Sequence, residues 1–211
     1  MRRTGCEVVR FALKQEENFD LRENFLPILA REKIDALFLC NPNNPTSSVI
    51  PRNQMRDILD YCKKKSITVL VDETYVEFAP DVQAVTAIPL TEYYNNIIIL
   101  RGISKFFAAP GLRLGYAICG NKDLLKEINQ KKNPWTINSL AAIAGEIMFS
   151  DEEYIRKTRQ LIASERERIC QAIRSMGAYQ VYESNCNFVL VKIKKEGLTA
   201  DQIFDLSLIH I

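Results

Sequence analysis

Histidine is almost missing from this chain. There is one, His210, among 211 residues, and it stands next to the last position. A histidine-built metal site or a Ser-His-Asp triad therefore has almost nothing to draw on. No two cysteines form a Cys-x-x-Cys pair among the six present, which removes the common zinc and dithiol frameworks. No apolar run reaches the ~18 residues of a membrane span. The start, Met1-Arg2-Arg3-Thr4-Gly5, has no signal-peptide core behind it. No basic cluster exceeds Lys63-Lys64-Lys65 at a net charge of +2, so nucleic acid is not an expected partner.

What is present is an ordinary globular composition, 47% apolar and 26% charged, in a chain long enough to bury a substantial core. The cysteines Cys6, Cys40, Cys62, Cys119, Cys170 and Cys186 are scattered. Buried reduced thiols are expected, as in a cytoplasmic protein.

Along the chain, strand patterns alternate with helix patterns. Residues 6–13 read as a strand and 21–32 as a helix with apolar positions 21, 25, 26 and 29. Residues 34–40 form a near-continuous apolar run, expected of a strand buried on both faces. It breaks at Asn41-Pro42-Asn43-Asn44-Pro45-Thr46, a rigid turn. Pro51 opens a helix with a Met55, Ile58, Leu59, Cys62 stripe. Strands follow at 67–71, 97–100 and 114–119, then helices at 121–130 and 137–149, the latter with Leu140, Ile143, Ala144 and Ile147 on one side. Ser150 and Glu153 form a capping box for a long helix that stops at Gly177. Residues 180–193 read as one strand. The expected architecture is α/β: a mostly parallel-sheet large domain over 1–149, then an interdomain helix and the start of a smaller α/β domain over 150–211.

Three polar motifs each follow the carboxyl end of an apolar strand: Asn44, Asp72 to Tyr75, and Lys105. In open parallel sheets that edge binds ligands. Lys105 is the only charge between Arg101 and Arg113, in Ser104-Lys105-Phe106-Phe107-Ala108-Ala109-Pro110. Desolvated there, its amine becomes nucleophilic toward an aldehyde. Arg113, bracketed by Gly111 and Gly115, can clamp a phosphate with its guanidinium fork. An aldehyde and a phosphate together point to pyridoxal 5'-phosphate (PLP). Plainer readings stand beside these. Lys105 or Arg113 can be a surface charge, Asp72 a turn cap, Asn44 a turn residue and Tyr75 a core tyrosine.

Asn-Asn-Pro-Thr at 43–46, Val-Asp-Glu-Thr-Tyr at 71–75, Ser-Lys at 104–105 and Gly-Leu-Arg-Leu-Gly-Tyr at 111–116 resemble the fold-type-I PLP enzymes of the class I/II aminotransferase family. The resemblance covers residues 5 to 195. It implies that Lys105 carries PLP as a Schiff base and that Asp72 pairs with the pyridine nitrogen. It further implies that Asn44 and Tyr75 contact the ring hydroxyl and that Ser104 and Arg113 hold the phosphate. Two branches fit best, histidinol-phosphate aminotransferase and threonine-phosphate decarboxylase. Residues 133–142 and Cys6-Glu7-Val8 are more similar to the decarboxylase branch, which makes the aminopropanol side arm of cobalamin. The implied partner is a phosphorylated amino acid or amine, and the full-length protein is expected to be a homodimer.

There are departures. Ser47 stands where the family usually has glycine, and Gly102 where relatives often carry a hydroxyl. The family's N-terminal phosphate loop with its stacking aromatic, and the C-terminal arginine for the substrate carboxylate, are expected to be missing. Residues 206–211 do not resemble the family and are expected to be non-native. A chain so truncated is expected to be inactive alone. The reading from another class is a non-catalytic PLP-binding domain, such as the sensing half of a transcription regulator.

Overall fold

The computed structural model describes residues 5–22 and 25–208; His210 lies outside them. Among the described residues four strands build the main sheet in the order β1-β2-β3-β4: Ala36–Cys40, Thr68–Asp72, Ile97–Gly102 and Gly115–Cys119. β1, β2 and β3 run parallel and β4 runs back antiparallel to β3, so the sheet is mostly parallel as expected.

The helices are α1 (Phe25–Leu29), α2 (Arg52–Lys64), α3 (Val82–Val85), α4 (Lys122–Lys131), α5 (Ser139–Ser150), α6 (Glu152–Ser175) and α7 (Ala200–Leu208). A separate antiparallel pair, β5 (Tyr179–Val181) and β6 (Val191–Ile193), follows α6. The core lies between α2 and the middle strands. Val69, Val71, Ile97 and Ile99 are fully buried there, together with the α2 stripe of Met55, Ile58, Leu59 and Cys62. Four apolar residues at i, i+3, i+4 and i+7 give α2 one apolar face, and the sheet covers it.

Several sequence expectations are corrected. Residues 6–13 form no strand, and Val8 and Val9 are exposed; β propensity without a neighbour to complete a ladder makes no strand. Of the helix expected over 21–32, residues 25–29 form α1, where Phe25 and Leu29 are buried, while residues 23 and 24 lie outside the described residues. β1 is an edge strand with alternating exposure, not one buried on both faces: Phe38 is 51% exposed. Cys40 and Cys6 are therefore exposed, while Cys62, Cys170 and Cys186 are buried.

Pro51 is the residue before α2 and not its first residue. The cap of α6 is Asp151, which accepts from the Tyr154 N–H at 2.9 Å. Ser150 instead donates to the Glu146 and Ile147 carbonyls, and Glu153 pairs with Lys157. In α5, capped by Asn138, it is Ala141 and Gly145 that are buried. Leu140, Ile143 and Ile147 face outward. The strand expected over 180–193 is two short strands, because residues 182–190 turn away to reach the main sheet's loops.

Candidate active site

The register sets the site's foundation. Cys40 lies opposite Asp72, and Asp72 opposite Leu100, so the loops after β1, β2 and β3 leave the same sheet edge. The first loop is rooted by Asn41, which is fully buried. Its Nδ2 donates to the Ile50 and Val85 carbonyls, and its Oδ1 accepts from the Ile50 N–H at 2.8 Å. Beyond it, the Asn43 N–H donates to the Ser48 carbonyl at 2.8 Å, and the Ser47 N–H to the Asn43 carbonyl at 2.7 Å. This tight turn holds Asn44 out toward solvent.

The second loop begins at Asp72, half-buried at the end of β2. Its Oδ1 accepts from the Thr74 N–H at 2.9 Å and from Thr74 Oγ1 at 2.5 Å. The turn-capping role is therefore real, and it occupies one carboxylate oxygen. Burial first, and the Asp72 charge second, push the Cys40 thiol up, although Cys40 as a residue is exposed. The chain then turns through a single 3-10 turn, Val76–Phe78, which leaves Tyr75 above the strand end.

Tyr75 is where the separate motifs meet. Asn44 Nδ2 donates to its hydroxyl at 3.5 Å, and Lys105 Nζ stands 6.0 Å from its ring centroid. Lys105 itself is exposed. The desolvation expected from its apolar neighbours is not supplied, because the turn at 103–108 buries Ile103 and Phe106 and points Lys105 outward. Phe106 anchors the turn among Phe78, Phe107 and Tyr154, and the Tyr154 hydroxyl donates to the Phe106 carbonyl at 3.1 Å.

Ser104 is half-buried beside Lys105. Arg113 belongs to the same β3–β4 loop. Its backbone is left-handed, φ 54°, and its Nη1 donates to the Pro110 carbonyl at 3.0 Å. Arg113 is exposed, and among the described contacts none joins it to Lys105 or Tyr75.

Sequence reasoning missed the buried ion pair beneath these loops. Glu73 is fully buried. Its Oε2 accepts from Arg101 Nε at 3.0 Å and Nη2 at 2.7 Å, and its Oε1 from the Ala87 N–H at 2.6 Å. Arg101 Nη1 also donates to Glu77 at 2.9 Å, and Glu77 in turn pairs with Arg159 of α6. Burial alone would lower the Arg101 pKa, but the Glu73 charge and its hydrogen bonds outweigh it, so the net direction is up. The signal was available: an arginine directly after Ile-Ile-Ile-Leu in a buried strand must be paired.

A family model described as Aminotransferase class I and II matches residues 1–209. The threonine-phosphate decarboxylase of Salmonella typhimurium is 32% identical over 92% of the chain and 53% of its own length. The histidinol-phosphate aminotransferase of Clostridium acetobutylicum superposes with a TM-score of 0.90 at 29% identity, over 99% of this chain and 61% of its own. A histidinol-phosphate aminotransferase from Sinorhizobium meliloti, solved in complex with pyridoxal-5'-phosphate, gives a TM-score of 0.70 at 25% identity, over 82% of this chain and 46% of its own. The chain thus spans about half the length of curated relatives that it matches. Among the described residues no helix is long and apolar enough to cross a membrane, and no cluster of His, Cys, Asp and Glu could hold a metal ion.

Proposed function

This chain belongs to the aminotransferase class I and II family, and from that premise we propose that it is part of a PLP-dependent enzyme acting on a phosphorylated amino acid. The observation that carries the reading is the convergence on Tyr75: Asn44 from the β1 loop and Lys105 from the β3 loop approach its hydroxyl and its ring. The donor set fits the cofactor. Lys105 offers an exposed amine, and Asp72 keeps Oδ2 outside its turn bonds to face a ring nitrogen. Asn44 and Tyr75 would donate to a ring oxygen, while Ser104 and Arg113 would hold a phosphate.

When bound, PLP supplies an aldehyde that captures amines and a ring that accepts an electron pair from a breaking bond. The Asp72 carboxylate would keep a proton on the ring nitrogen, since a nearby negative charge favours the protonated form. Lys105 Nζ would hand a proton back to the substrate carbon. The favoured substrate is L-threonine O-3-phosphate, decarboxylated to aminopropanol phosphate, because residues 133–142 resemble that branch. The second reading, transamination of histidinol phosphate, is supported by the 0.90 superposition. A homodimer, a cytoplasmic location, and a division into a cofactor-binding domain over 1–149 and a second unit from 150 belong to the same proposal.

The test offers the complete protein O-phosphothreonine, and separately histidinol phosphate with 2-oxoglutarate. Carbon dioxide release from the first is expected. Glutamate from the second, without carbon dioxide from the first, replaces the decarboxylase by the aminotransferase. Borohydride reduction in the presence of PLP is expected to fix the label on Lys105. A label on another lysine removes the assignment, and Asp72→Asn that melts early but turns over normally per folded molecule leaves Asp72 as a cap only.

A further inference from the structure

The segment between β5 and β6 makes polar contacts that neither of its own strands requires. The Asn185 N–H donates to Ser47 Oγ at 2.7 Å, and Asn185 Nδ2 donates to the Ser47 carbonyl at 3.1 Å. Ser184 Oγ lies 3.2 Å from the same Ser47 hydroxyl. Ser47 is fully buried and held at φ 60°, a conformation uncommon outside glycine and asparagine. On its other side, Ser184 Oγ donates to the Phe188 carbonyl at 2.6 Å. The Phe188 ring then stands edge-on to Tyr75, with centroids 5.1 Å apart at 89°. Arg166 of α6 braces the segment by donating to the Phe78 carbonyl at 3.1 Å and the Cys186 carbonyl at 3.0 Å.

One segment thus grips both members of the Asn44–Tyr75 pair. It holds the turn three residues after Asn44 through Ser47, and it holds Tyr75 by its ring. The pair's own separation is 3.5 Å, the outer limit of a hydrogen bond. A shift of a few tenths of an ångström makes or breaks such a contact, so whatever fixes the turn and the ring decides whether it exists. We propose that residues 184–188 are a positioning clamp, in which Asn185 and Phe188 set the geometry of Asn44 and Tyr75. The consequence for the cofactor's ring oxygen rests on the PLP reading above; the clamp itself does not.

Hydrogen–deuterium exchange on the full chain tests the clamp without cofactor, using peptides over 41–50, 72–79 and 182–190. Ser47→Gly removes the hydroxyl and occupies the positive φ without steric cost, so it should fold. It is expected to speed exchange about fivefold in 182–190, the worth of one net hydrogen bond, and also in 72–79, to which none of the described hydrogen bonds joins Ser47. Phe188→Leu is expected to speed exchange in 41–50 as well as in 72–79. Asn185→Ala keeps the backbone donor, loses only the Nδ2 bond, and should act in the same direction more weakly than Ser47→Gly. On PLP-loaded protein, the pH midpoint of the visible absorption should shift in Ser47→Gly and Phe188→Leu, but not in the exposed control Arg168→Ala. Exchange changes confined to the mutated segment overturn the clamp, and an unmoved midpoint overturns its consequence for the cofactor's ring oxygen. Should wild type take no PLP at Lys105, the cofactor reading falls, and the exchange results still decide the clamp.

Discussion

α2 is held on the sheet and α6 on the loops beyond its edge, by opposite means. α2 has 13 residues and buries Met55, Ile58, Leu59 and Cys62. α6 has 24 residues, of which Cys170 is the one buried among those described. Apart from the Tyr154 ring against Phe106 and Phe107, what fastens α6 is polar and aimed: Tyr154 to the Phe106 carbonyl, Arg159 to Glu77, Arg166 to the carbonyls of Phe78 and Cys186. Apolar burial is non-directional and supplies most of the stability. Half-exposed ion pairs contribute little stability and fix orientation instead. All of these α6 ties end beside the site loops, two or three residues past Tyr75, one past Lys105 and two before Phe188. The long helix thus sets the register of the site, while α2 holds up the sheet beneath it.

That contrast can be broken from either side. The largest effect is expected from Leu59→Ala, which empties a fully buried position and should cost about 4 kcal/mol in urea unfolding, with no dependence on salt. Glu73→Ala comes next at about 3 kcal/mol, near the lower end for a broken buried pair, because Glu77 still faces Arg101. If Glu73→Ala were neutral, the ion pair would not be the joint between β2, β3 and α6.

The third prediction uses pH. Burial pushes the Cys62 thiol from 9.0 up to about 11. The folded chain keeps that proton where the unfolded chain has lost it. The contribution is therefore intact below pH 9 and declines as pH rises toward 11, by on the order of 2 kcal/mol. Urea titrations of wild type and Cys62→Ala across that window should differ in slope, and equal slopes would sink the assignment. The smallest effect is expected from Arg159→Ala, about 0.5 kcal/mol at low salt, vanishing as salt is raised. A salt-independent loss would mean that α6 is held by packing after all.

The same contrast shows what the sequence could reveal. Apolar residues at i, i+3, i+4 and i+7 mark α2 and also the Leu140, Ile143, Ile147 face of α5. Yet Leu59 is fully buried and Leu140 is 75% exposed. Periodicity tells which residues share a face, and it is silent on what covers that face. The same gap explains β1, a continuous apolar run that lies at the sheet edge, and residues 6–13, which have strand composition and join no ladder among the described residues. The placement of the candidate residues was more legible than their surroundings. Asn44, Asp72 and Lys105 follow strands whose ends align once the parallel register is granted, so sequence order alone brings them to one edge. Their detailed settings were hidden. Nothing in Ser104-Lys105-Phe106 shows that the flanking side chains turn inward while the lysine turns out, because that is decided by the bend at 103–108. The grip of Asn185 on Ser47 spans 138 residues and leaves no local pattern to read.

The return of β4 along β3 has a consequence for how this site could be rebuilt. Gly102 and Gly115 sit opposite each other at the base of a hairpin. Residues 103–114 between them carry Ser104, Lys105 and Arg113, so amine and guanidinium travel as one portable cassette, closed at both ends by the same pair of strands. Exchanging that hairpin with a relative's would move the proposed amine and phosphate ligands together. Asn44 and Asp72 belong to separate crossover units and would stay behind. The splice point is set by sterics: a Cβ at Gly115 would lie 3.2 Å from the Arg101 carbonyl oxygen. A graft should therefore carry Gly115 with it.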